Sequence, residues 1–448
     1  MDLVVAGAGG GLAGALRAAE LGCSVLVVEA SEHFRRGNNT SMSTAMFPGA
    51  GSRWQREAGI EDSPEAFVAD IMAKTKGQAD PRLARTLAGV SAPLVEWLAD
   101  SAGLPLSLVT DFNYPGHAVP RCHSIPGRHG SGVVDHLARR VGEHENIELL
   151  APAKLVDVLT GADGVRAAVV RYPDGTEEEI PTRAVLLATN GFGADRDLVA
   201  RHLPEIADAL YQGSDQSLGD ALRIGEKLGA VAGFLDAYQG HGAVAANAGT
   251  LVGWATIIHG AVLVDTTGRR FGDETRGYSE YAAELAARPG STGWIVLDET
   301  IVEQCQPFQD FRDTVASGAL VWADDAEQLG ERLGLPALAD ELATAAAIAR
   351  GERDDPFGRT NWERPLSGRY AAVRVVPALF HTQGGLLVDE NAAVVDERDR
   401  PIPGLYAAGG AAASISGHGA AGYLPGNGLL PAFGLAYLAA NDVARRAA

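Results

Sequence analysis

The stretch Leu3-Val4-Val5-Ala6-Gly7-Ala8-Gly9-Gly10-Gly11-Leu12-Ala13-Gly14 decides the fold of this chain. Residues 3–7 predict a short buried strand, the glycines predict a turn, and residues 12–21, rich in Ala and Leu, predict a helix. Residues 24–29 (SVLVVE) predict a second strand. Strand, glycine turn, helix and strand within about 30 residues are typical of a βαβ unit, and therefore of an α/β fold with a parallel sheet.

The glycine turn is also typical of a dinucleotide site. Glycines let the chain turn tightly and let backbone amides approach a pyrophosphate, while the next helix directs partial positive charge at the anion. An acid at the end of the second strand accepts hydrogen bonds from the adenosine ribose. We therefore predict cofactor contacts at Gly7, Gly9, Gly11 and Glu29, although Leu12 occupies the third glycine position of GxGxxG. The alternative is an ordinary glycine-rich turn.

The composition excludes several classes of protein. A net charge of −20 and a pI near 4.9 argue against nucleic acid or an anionic membrane surface as the main partner. The three cysteines are far apart and no histidine lies at metal-ligand spacing, so we expect neither disulfides nor a metal site. The N-terminus lacks a signal-peptide pattern, and no charge-free apolar run of membrane-spanning length occurs. We predict a cytoplasmic protein without a membrane span.

Glycine is over-represented: 55 of the 448 residues are glycine, about 12%, whereas the average in proteins is about 7%. Besides the first turn, glycine-rich segments occur at 36–41 (RGNNTS), 188–193 (ATNGFG) and 404–409 (GLYAAG). Pro425-Gly426-Asn427-Gly428 precedes a predicted helix, whose N-terminus suits the flavin edge that gathers negative charge on reduction. These segments would let the backbone line an extended cofactor at several places, which favours FAD over NAD.

The rest of the chain alternates predicted helices and strands. Residues 64–102 have helical periodicity, and residues 154–180 predict an antiparallel meander with hairpin turns. Residues 184–188 (AVLLA) predict another buried strand, and a last helix is predicted at about 429–447. No internal repeat or low-complexity linker is present.

Eight motifs follow one another along the chain: VVAGAGGG, VVE, GNNTS, ATNGF, GRRFGDE, HTQGG, IPGLYAAG and LPGNG. Together they resemble the flavoprotein family of fumarate reductases and succinate dehydrogenases, which includes the 3-ketosteroid dehydrogenases. The resemblance implies a Rossmann-like FAD-binding domain of the glutathione-reductase type with non-covalent FAD. Further FAD contacts are predicted at Asn39, Thr40, Ser41, Asn190, Gly191, Gly409, Gly426, Asn427 and Leu429.

The resemblance also implies two domains. A discontinuous FAD-binding domain would comprise 1–235 and 376–448, and an inserted α+β capping domain, 236–375, would close over the substrate. The composition changes near the first of these boundaries, where a Gly/Ala-rich stretch begins at about residue 241. Closure of such a lid excludes water from a hydride transfer.

The chemistry implied by the resemblance is hydride exchange between flavin N5 and a carbon, with proton transfer at the neighbouring carbon. Two substrate-site histidines of the family match His241 and His381, which would bind a carboxylate or carbonyl oxygen. The proton-donating arginine of the fumarate reducers matches Arg276, one residue early. The alternative for each histidine is a structural role, and for Arg276 it is an ion pair with Asp273 or Glu274.

The sequence departs from the fumarate reducers at three places. The carboxylate-clamping arginine is missing from residues 418–423 (HGAAGY), the acid/arginine relay is missing from residues 253–258 (GWATII), and Gly410 replaces a glutamate. Tyr423 instead resembles the tyrosine with which ketosteroid dehydrogenases polarise a ketone. Tyr278 and Tyr281 are further candidates for proton acceptors, although a tyrosine base needs strong activation.

These observations leave three hypotheses. The leading one is an FAD-dependent oxidoreductase acting on a CH–CH bond next to a carbonyl or carboxylate, as a dehydrogenase or an ene-reductase. The second is a ketosteroid-dehydrogenase-like desaturase of a bulky cyclic ketone. The third is a flavin-binding protein without redox turnover. An enzyme of either kind would need a separate electron donor or acceptor besides its small-molecule substrate.

Overall fold

The computed structural model describes residues 1–111 and 113–447, which divide into two compact units. Unit 1 comprises Met1–Pro204, Gly213–Gln239 and Phe380–Ala448, and unit 2 comprises Glu205–Gln212 and Gly240–Leu379. The short segment Glu205–Gln212 thus belongs to unit 2, whereas the sequence analysis assigns it to the FAD-binding domain. A capping role for unit 2 stays a prediction.

Short strands and helices alternate along the chain. The strands are β1 (Leu3–Ala6), β2 (Val25–Val28), β3 (Phe47–Pro48), β4 (Ser107–Leu108), β5 (Cys122–Ser124), β6 (Ile147–Leu150), β7 (Lys154–Gly161), β8 (Gly164–Arg171), β9 (Glu177–Pro181), β10 (Val185–Leu187), β11 (Leu210–Tyr211), β12 (Ala232–Gly233), β13 (Tyr238–Ala245), β14 (Val262–Val264), β15 (Gly293–Asp298), β16 (Val321–Ala323), β17 (Tyr370–Thr382), β18 (Gly385–Leu386), β19 (Ala393–Val395) and β20 (Pro401–Ala407). The α-helices are α1 (Gly11–Glu20), α2 (Phe34–Gly37), α3 (Arg53–Glu57), α4 (Pro64–Lys74), α5 (Pro81–Asp100), α6 (Gly130–Gly142), α7 (Arg196–His202), α8 (Asp220–Lys227), α9 (Ala255–Ile258), α10 (Tyr278–Ala286), α11 (Glu299–Gln304), α12 (Gln309–Ala316), α13 (Ala326–Leu333), α14 (Leu338–Ala349) and α15 (Leu429–Ala447). Within the described residues, none of these helices has the length and apolar character required to span a bilayer.

A six-stranded sheet with the order β19-β20-β10-β1-β2-β6 forms the centre of unit 1. Neighbouring strands from β20 to β6 are parallel, and only β19 is antiparallel to its neighbour. The residues of β1, β2 and β10 are all buried, as expected for parallel strands covered on both faces. The predicted α/β, Rossmann-like fold is confirmed.

Helices α1 and α15 pack closely together in unit 1. A β-carbon added at Gly10 would lie 2.5 Å from the carbonyl oxygen of Ala432, and one added at Gly14 would lie 3.1 Å from Ala436. The glycines of the first turn and first helix therefore allow two helices to approach at backbone distance. Cys23, predicted to be a small core residue, is buried beside this helix.

Three smaller sheets complete unit 1. Strands β7, β8 and β9 form an antiparallel meander, as the hairpin turns predict, and β3, β5 and β4 form a second antiparallel sheet. Strands β12 and β18 form a two-stranded antiparallel pair. The predicted helical stretch 64–102 consists of two helices, α4 and α5, which begin at proline residues capped by Ser63 and Asp80.

Unit 2 contains a sheet in which β17 pairs with β11, β13, β15 and β16, while β14 pairs with β15. The parallel pairing of β11 with β17 places Glu205–Gln212 in this unit. Helices cover both sides of the sheet with two apolar clusters, one around Trp254 and Phe311 and the other around Leu329 and Leu338. The unit is therefore an α+β structure with its own core, as predicted for the inserted segment.

Candidate active site

The carboxyl ends of the parallel strands meet at one edge of the unit 1 sheet. The pairing register aligns Ala6 with Val28 on one side and with Leu187 on the other, and Leu187 with Ala407. The residues that follow these strands therefore come together, although they are far apart in sequence. Open parallel sheets bind ligands at this edge. The glycine-rich segments at 7–14 and 188–193 begin there, and the segment at 404–409 ends there.

Gly7 lies at a tightly packed point of this edge. Its φ of +111° is disfavoured for residues with a side chain. A β-carbon at Gly7 would also overlap the carbonyl oxygen of Ala188, the residue after β10. Gly9 faces Thr40, whose Oγ1 would lie 2.8 Å from an added β-carbon, and Gly11 faces Val5. Glycine is therefore required here both for backbone conformation and for space.

The carboxylate of Glu29 closes the first turn. Its Oε2 accepts a hydrogen bond from the amide of Ala8 at 2.7 Å, and its Oε1 accepts one from the amide of Ser31 at 2.8 Å. Burial raises the pKa of Glu29, and hydrogen bonds from the amides of Ser31, Ala8 and Ala30 oppose that shift. A carboxylate has about four lone-pair sites, so Glu29 can still accept a hydrogen bond from a predicted ribose hydroxyl.

The predicted FAD contacts in the GNNTS motif have partners within unit 1. Asn39 accepts a hydrogen bond from the amide of Ser214 at 2.8 Å and donates one to the carbonyl of Phe380 at 2.9 Å. Ser41 donates to the carbonyl of Asn38 at 2.8 Å. The side chain of Thr40 is buried against Gly9. This motif therefore ties three segments of unit 1 together around the first turn.

The ATNGF motif packs against the segment that follows β20. Asn190 has a φ of +64° and donates from Nδ2 to Ser217 Oγ at 2.8 Å. A β-carbon at Gly191 would overlap Thr382 Oγ1, and one at Gly410 would lie 2.5 Å from Asn190 Oδ1. Close packing against Asn190 and Gly191 therefore leaves no room for a side chain at position 410, where the resemblance implies a glutamate. Gly409 and Gly426, with φ of +62° and +91°, and the buried Leu429 complete the predicted set.

Three buried oxygen atoms of unit 1 have no hydrogen-bond partner among the described residues. They are Thr189 Oγ1, Ser414 Oγ and Asn427 Oδ1. Buried polar atoms are nearly always paired, so a bound molecule with its own polar groups would complete them. FAD offers hydroxyl, phosphate, ring nitrogen and carbonyl groups. With the strained glycine turn and the acid after β2, these residues fit the dinucleotide.

His381 and Tyr423 converge on one glycine in unit 1. A β-carbon at Gly428 would lie 3.1 Å from His381 Nε2 and 3.5 Å from the hydroxyl of Tyr423. The two rings are 5.8 Å apart and nearly perpendicular. Because Gly428 has no side chain, both polar groups face the space that such a side chain would fill, just before α15. The structure thus brings together two of the four predicted catalytic residues.

The His381 imidazole is uncharged at neutral pH. Desolvation lowers the pKa of His381 to about 4, and the carbonyl of Thr382 opposes this shift only weakly. Gln383 Nε2 lies 2.8 Å from His381 Nδ1. A neutral histidine is a hydrogen-bond donor or acceptor and supplies no positive charge to a carboxylate.

His241 lies in unit 2 within a group of aromatic rings. It stacks on Tyr278 at 4.8 Å with an interplanar angle of 18°, and Trp254 contacts it edge-on at 5.7 Å. The amide of Ala243 donates to His241 Nδ1 at 3.1 Å, and burial lowers the pKa of His241 to about 3. This histidine is therefore neutral, with Nδ1 acting as an acceptor.

Arg276 lies in unit 2, just before α10, with 53% of its side chain exposed. Its guanidinium forms ion pairs with Glu280 at 3.4 Å and Glu284 at 3.9 Å. The alternative interpretation was an exposed ion pair with Asp273 or Glu274, and the structure shows exposed ion pairs with Glu280 and Glu284. One turn and two turns of α10 bring Glu280 and Glu284 onto the face beside Arg276.

Glu274 belongs to a buried cluster of charges. It accepts from Arg270 at 2.7 Å and from Arg359 at 3.3 Å, and Arg270 also pairs with Asp355 at 2.7 Å. Tyr281 lies beside this cluster, and its buried hydroxyl has no partner within the described part of the chain. Burial strongly raises the pKa of Tyr281, which makes this residue unsuited to accept a proton.

The buried neutral histidines make the stability of the protein dependent on pH. Burial lowers the pKa of His117, His123 and His381 to about 4, and of His241 to about 3. Unfolded histidines bind a proton below about pH 6.5, so acid favours the unfolded chain. We expect the free energy of unfolding to fall between pH 6.5 and pH 4, by up to about 1.4 kcal/mol per pH unit for each histidine. Urea unfolding at pH 7.5, 6 and 5 measures this slope.

A pair of variants tests the origin of this slope. His123→Gln removes a histidine that is buried against Ser52, whereas His33→Gln removes an exposed one. The first variant should flatten the dependence of stability on pH, and the second should leave it unchanged. Equal slopes for both variants and the parent protein would contradict this origin.

Comparison with known protein families decides the identity of the fold. The family described as FAD binding domain matches residues 2–429. This chain belongs to that family. The predicted resemblance to the flavoprotein family of fumarate reductases and succinate dehydrogenases is confirmed at the level of the family.

This flavoprotein has several characterised relatives. It is 28% identical to the NADH:fumarate oxidoreductase of Klebsiella pneumoniae, matching all of this chain but only 48% of that protein. It is 28% identical to a fumarate reductase (cytochrome) of Shewanella frigidimarina, matching 99% of this chain and 77% of the relative. The chain thus spans about half the length of the first relative and about three quarters of the second.

Two solved structures have a similar fold. A flavocytochrome c3 fumarate reductase in an open conformation is 27% identical, with a TM-score of 0.81 over 99% of this chain and 78% of its own. The 3-ketosteroid Δ1-dehydrogenase of Sterolibacterium denitrificans is 22% identical, with a TM-score of 0.79 over 99% of both chains. The second similarity concerns the fold alone.

Two residues behind His381, Gln383 and Ser416, were not predicted from the sequence, and Asn427 was predicted only as an FAD contact. Gln383, Ser416 and Asn427 form consecutive hydrogen bonds that end on its ring. Gln383 lies in the HTQGG motif, where its polar side chain two residues after the histidine was the available signal. Ser416 and the role of the Asn427 side chain had no local signal, because their contacts depend on chain segments distant in sequence.

Proposed function

We propose that this flavoprotein exchanges a hydride between FAD and a carbon atom next to a carbonyl or carboxylate group. The reaction interconverts a C–C single bond and a double bond, with a hydride moving at one carbon and a proton at its neighbour. The observation that supports this most directly is the approach of His381 Nε2 and the Tyr423 hydroxyl to the same side of Gly428, where an added β-carbon would lie 3.1 Å and 3.5 Å from them. Two donors at one point suit a substrate oxygen.

Each residue has a defined part in this proposal. When bound, FAD takes up or supplies the hydride. His381 and Tyr423 hold the substrate oxygen and stabilise the negative charge that develops on it during proton transfer. The first turn, with Gly7 and Glu29, holds the dinucleotide end of the cofactor. We propose that the cofactor is bound without a covalent link.

Among possible substrates, a neutral ketone fits better than a dicarboxylate. Residues 417–428 contain no lysine or arginine, and His381 is uncharged at neutral pH. A carboxylate is held best by an arginine that forms two parallel hydrogen bonds. A ketone oxygen needs only neutral donors, such as a histidine N–H and a tyrosine hydroxyl. This favours an enone or a saturated cyclic ketone, the substrate class of the ketosteroid-dehydrogenase-like hypothesis.

The electron partner is proposed to be a separate molecule. The relatives include proteins named for NADH and for cytochrome, both longer than this chain. We propose that this chain exchanges electrons with a separate donor or acceptor, and that it acts in the cytoplasm on a small molecule without nucleic acid as a partner.

Rapid mixing of the reduced holoprotein with candidate acceptors tests the function. The protein is reduced with dithionite without oxygen, freed of excess reductant, and mixed with a cyclic enone, fumarate or a monocarboxylic enoate. Return of the flavin absorbance band measures substrate reduction, and we expect it to be fastest with the cyclic enone. Fastest oxidation by fumarate would contradict the ketone preference. No oxidation by any of the three would favour a flavin-binding protein without turnover.

We also propose that Arg276 donates the proton. Arg276→Gln should lower kcat by about 100-fold, at the low end of general acid catalysis. Its melting temperature should hardly change, because an exposed ion pair contributes about 0–1 kcal/mol. Steady-state turnover and thermal unfolding measure the two effects.

Arg288→Gln is the matched control for this variant. Arg288 is also a partner of Glu284, at 3.8 Å, so its replacement removes an equivalent ion pair. Its kcat should equal that of the parent protein. Equal turnover in Arg276→Gln and Arg288→Gln would remove Arg276 from the mechanism.

A further inference from the structure

A row of buried polar side chains leads to His381 within unit 1. Asn427 Nδ2 donates to Ser416 Oγ at 3.2 Å, Ser416 Oγ donates to Gln383 Oε1 at 2.7 Å, and Gln383 Nε2 lies 2.8 Å from His381 Nδ1. Gln383, Ser416 and Asn427 are at most 3% exposed. His381 lies in β17 and Gln383 directly follows this strand, whereas Ser416 and Asn427 lie in the loop before α15. The row therefore joins the end of β17 to that loop.

The direction of these hydrogen bonds determines the state of the histidine. An amide nitrogen carries only donors, so a Gln383 Nε2 that points at the ring requires Nδ1 to be an acceptor. The ring proton of a neutral imidazole must then be on Nε2. The carbonyl of Thr382 lies 3.3 Å from Nδ1 and would favour the opposite tautomer, but this contact is longer by 0.5 Å.

Reversing the whole row is less favourable. In the reversed arrangement Ser416 would donate to Asn427 Oδ1, and the Asn427 amide group would have both of its N–H donors unpaired inside the protein. In the observed arrangement one donor is paired with Ser416, and the carbonyl oxygen Oδ1 lacks a partner among the described residues. Unpaired buried N–H groups are rarer than under-satisfied carbonyl oxygens. The observed direction therefore leaves the less costly group open.

We propose that Gln383, Ser416 and Asn427 are positioning residues that hold His381 as the tautomer protonated on Nε2, the nitrogen facing Gly428. The histidine then donates a hydrogen bond at that position and does not act as a base. This inference rests on the proposed function only in taking the acceptor to be a substrate oxygen. Desolvation, which lowers the pKa of His381 to about 4, is consistent with a neutral donor.

The consequence for catalysis is a matter of charge. A neutral N–H donor stabilises negative charge developing on a carbonyl oxygen without transferring its own proton. If Nδ1 carried the proton instead, Nε2 would present a lone pair to that oxygen and repel it. The row of side chains thus decides whether His381 assists or opposes the reaction.

Nitrogen NMR of the holoprotein tests the tautomer directly. Protein with ¹⁵N-labelled histidine is prepared with FAD, and His381→Asn identifies the signals of His381 by difference. At pH 7 we expect the shift of a protonated ring nitrogen for Nε2 and that of an unprotonated one for Nδ1. A protonated Nδ1, alone or together with a protonated Nε2, would overturn the proposal.

Gln383→Glu tests the role of the row. A carboxylate only accepts hydrogen bonds, so this change should move a proton to Nδ1 and exchange the two nitrogen shifts or protonate both nitrogens. Asn146→Asp, which adds the same charge at an exposed position of unit 1, should leave the His381 signals unchanged. Unchanged His381 signals in folded Gln383→Glu would show that the row does not set the tautomer, and so overturn the proposal.

The spectra separate this inference from the proposed function, because they require no substrate. An Nε2–H histidine in a protein that oxidises or reduces none of the enones and enoates would support the positioning row and contradict the proposed function. A protonated Nδ1 in a protein that does turn over an enone or enoate would contradict the positioning row and support the proposed function. If Gln383→Glu does not fold, the spectrum of the parent protein and that of Ser416→Ala remain decisive. The loss of the serine hydroxyl should then give signals of both tautomers.

Discussion

Gly7→Ala is expected to abolish FAD binding and, with it, all redox turnover. The new methyl group would overlap the carbonyl oxygen of Ala188, and the φ of +111° would become strained. Relief requires β1 and β10 to separate, which would disturb the hydrogen bond from the Ala188 amide to Ala6 at 2.8 Å. Strain and overpacking each cost about 1–3 kcal/mol. FAD released into the supernatant by heat denaturation, per mole of chain, measures the loss.

Gly22→Ala is the control for the backbone strain alone. Gly22 also has a positive φ, +91°, but a β-carbon there would have no neighbour within 4 Å. This variant should lose about 1–2 kcal/mol of stability and keep its full content of FAD. If Gly7→Ala retained FAD, or if both variants lost it equally, the first turn would not be the dinucleotide site.

His381→Ala is expected to lower kcat by about 100- to 1000-fold, the effect of removing one donor from an oxyanion site. The FAD content should stay at that of the parent protein, since the proposed contact of His381 is with the substrate. Steady-state turnover of the best enone, together with the flavin absorbance per chain, separates the two effects.

The control for this variant is His33→Gln, which changes an exposed histidine of unit 1 that pairs with its neighbour Glu32. It should match the parent protein in turnover and in FAD content. A kcat for His381→Ala within about twofold of the parent value would remove His381 from the site. A loss of FAD in His381→Ala would instead assign it to cofactor binding.

The sequence predicted the parts of the fold that depend on local patterns. The strand, glycine turn and helix at residues 3–21, the meander at 154–180 and the last helix are all present, because alternation, turn residues and apolar runs act over a few neighbouring positions. The assignment of Glu205–Gln212 was beyond such reasoning. Its strand β11 is two residues long and is defined only by pairing with β17, more than 160 residues away.

The candidate site was predicted by residue type, and the tertiary structure decided its chemistry. His381 and Tyr423 were identified from their motifs, but their meeting at Gly428 depends on how β17 and the loop before α15 pack in unit 1. Arg276 was identified from its motif as well, whereas its partners depend on the turns of α10 that follow it.

The sequence by itself determined the family, the Rossmann-like sheet and the position of the glycine turn proposed to bind FAD, because ordered motifs and glycine spacing depend on local backbone geometry. Only the tertiary structure decided that His381 is neutral, that its Nδ1 faces Gln383 and that its Nε2 faces the space at Gly428. Charge and tautomer follow from desolvation and from hydrogen bonds between segments distant in sequence, and these exist only once the chain has folded.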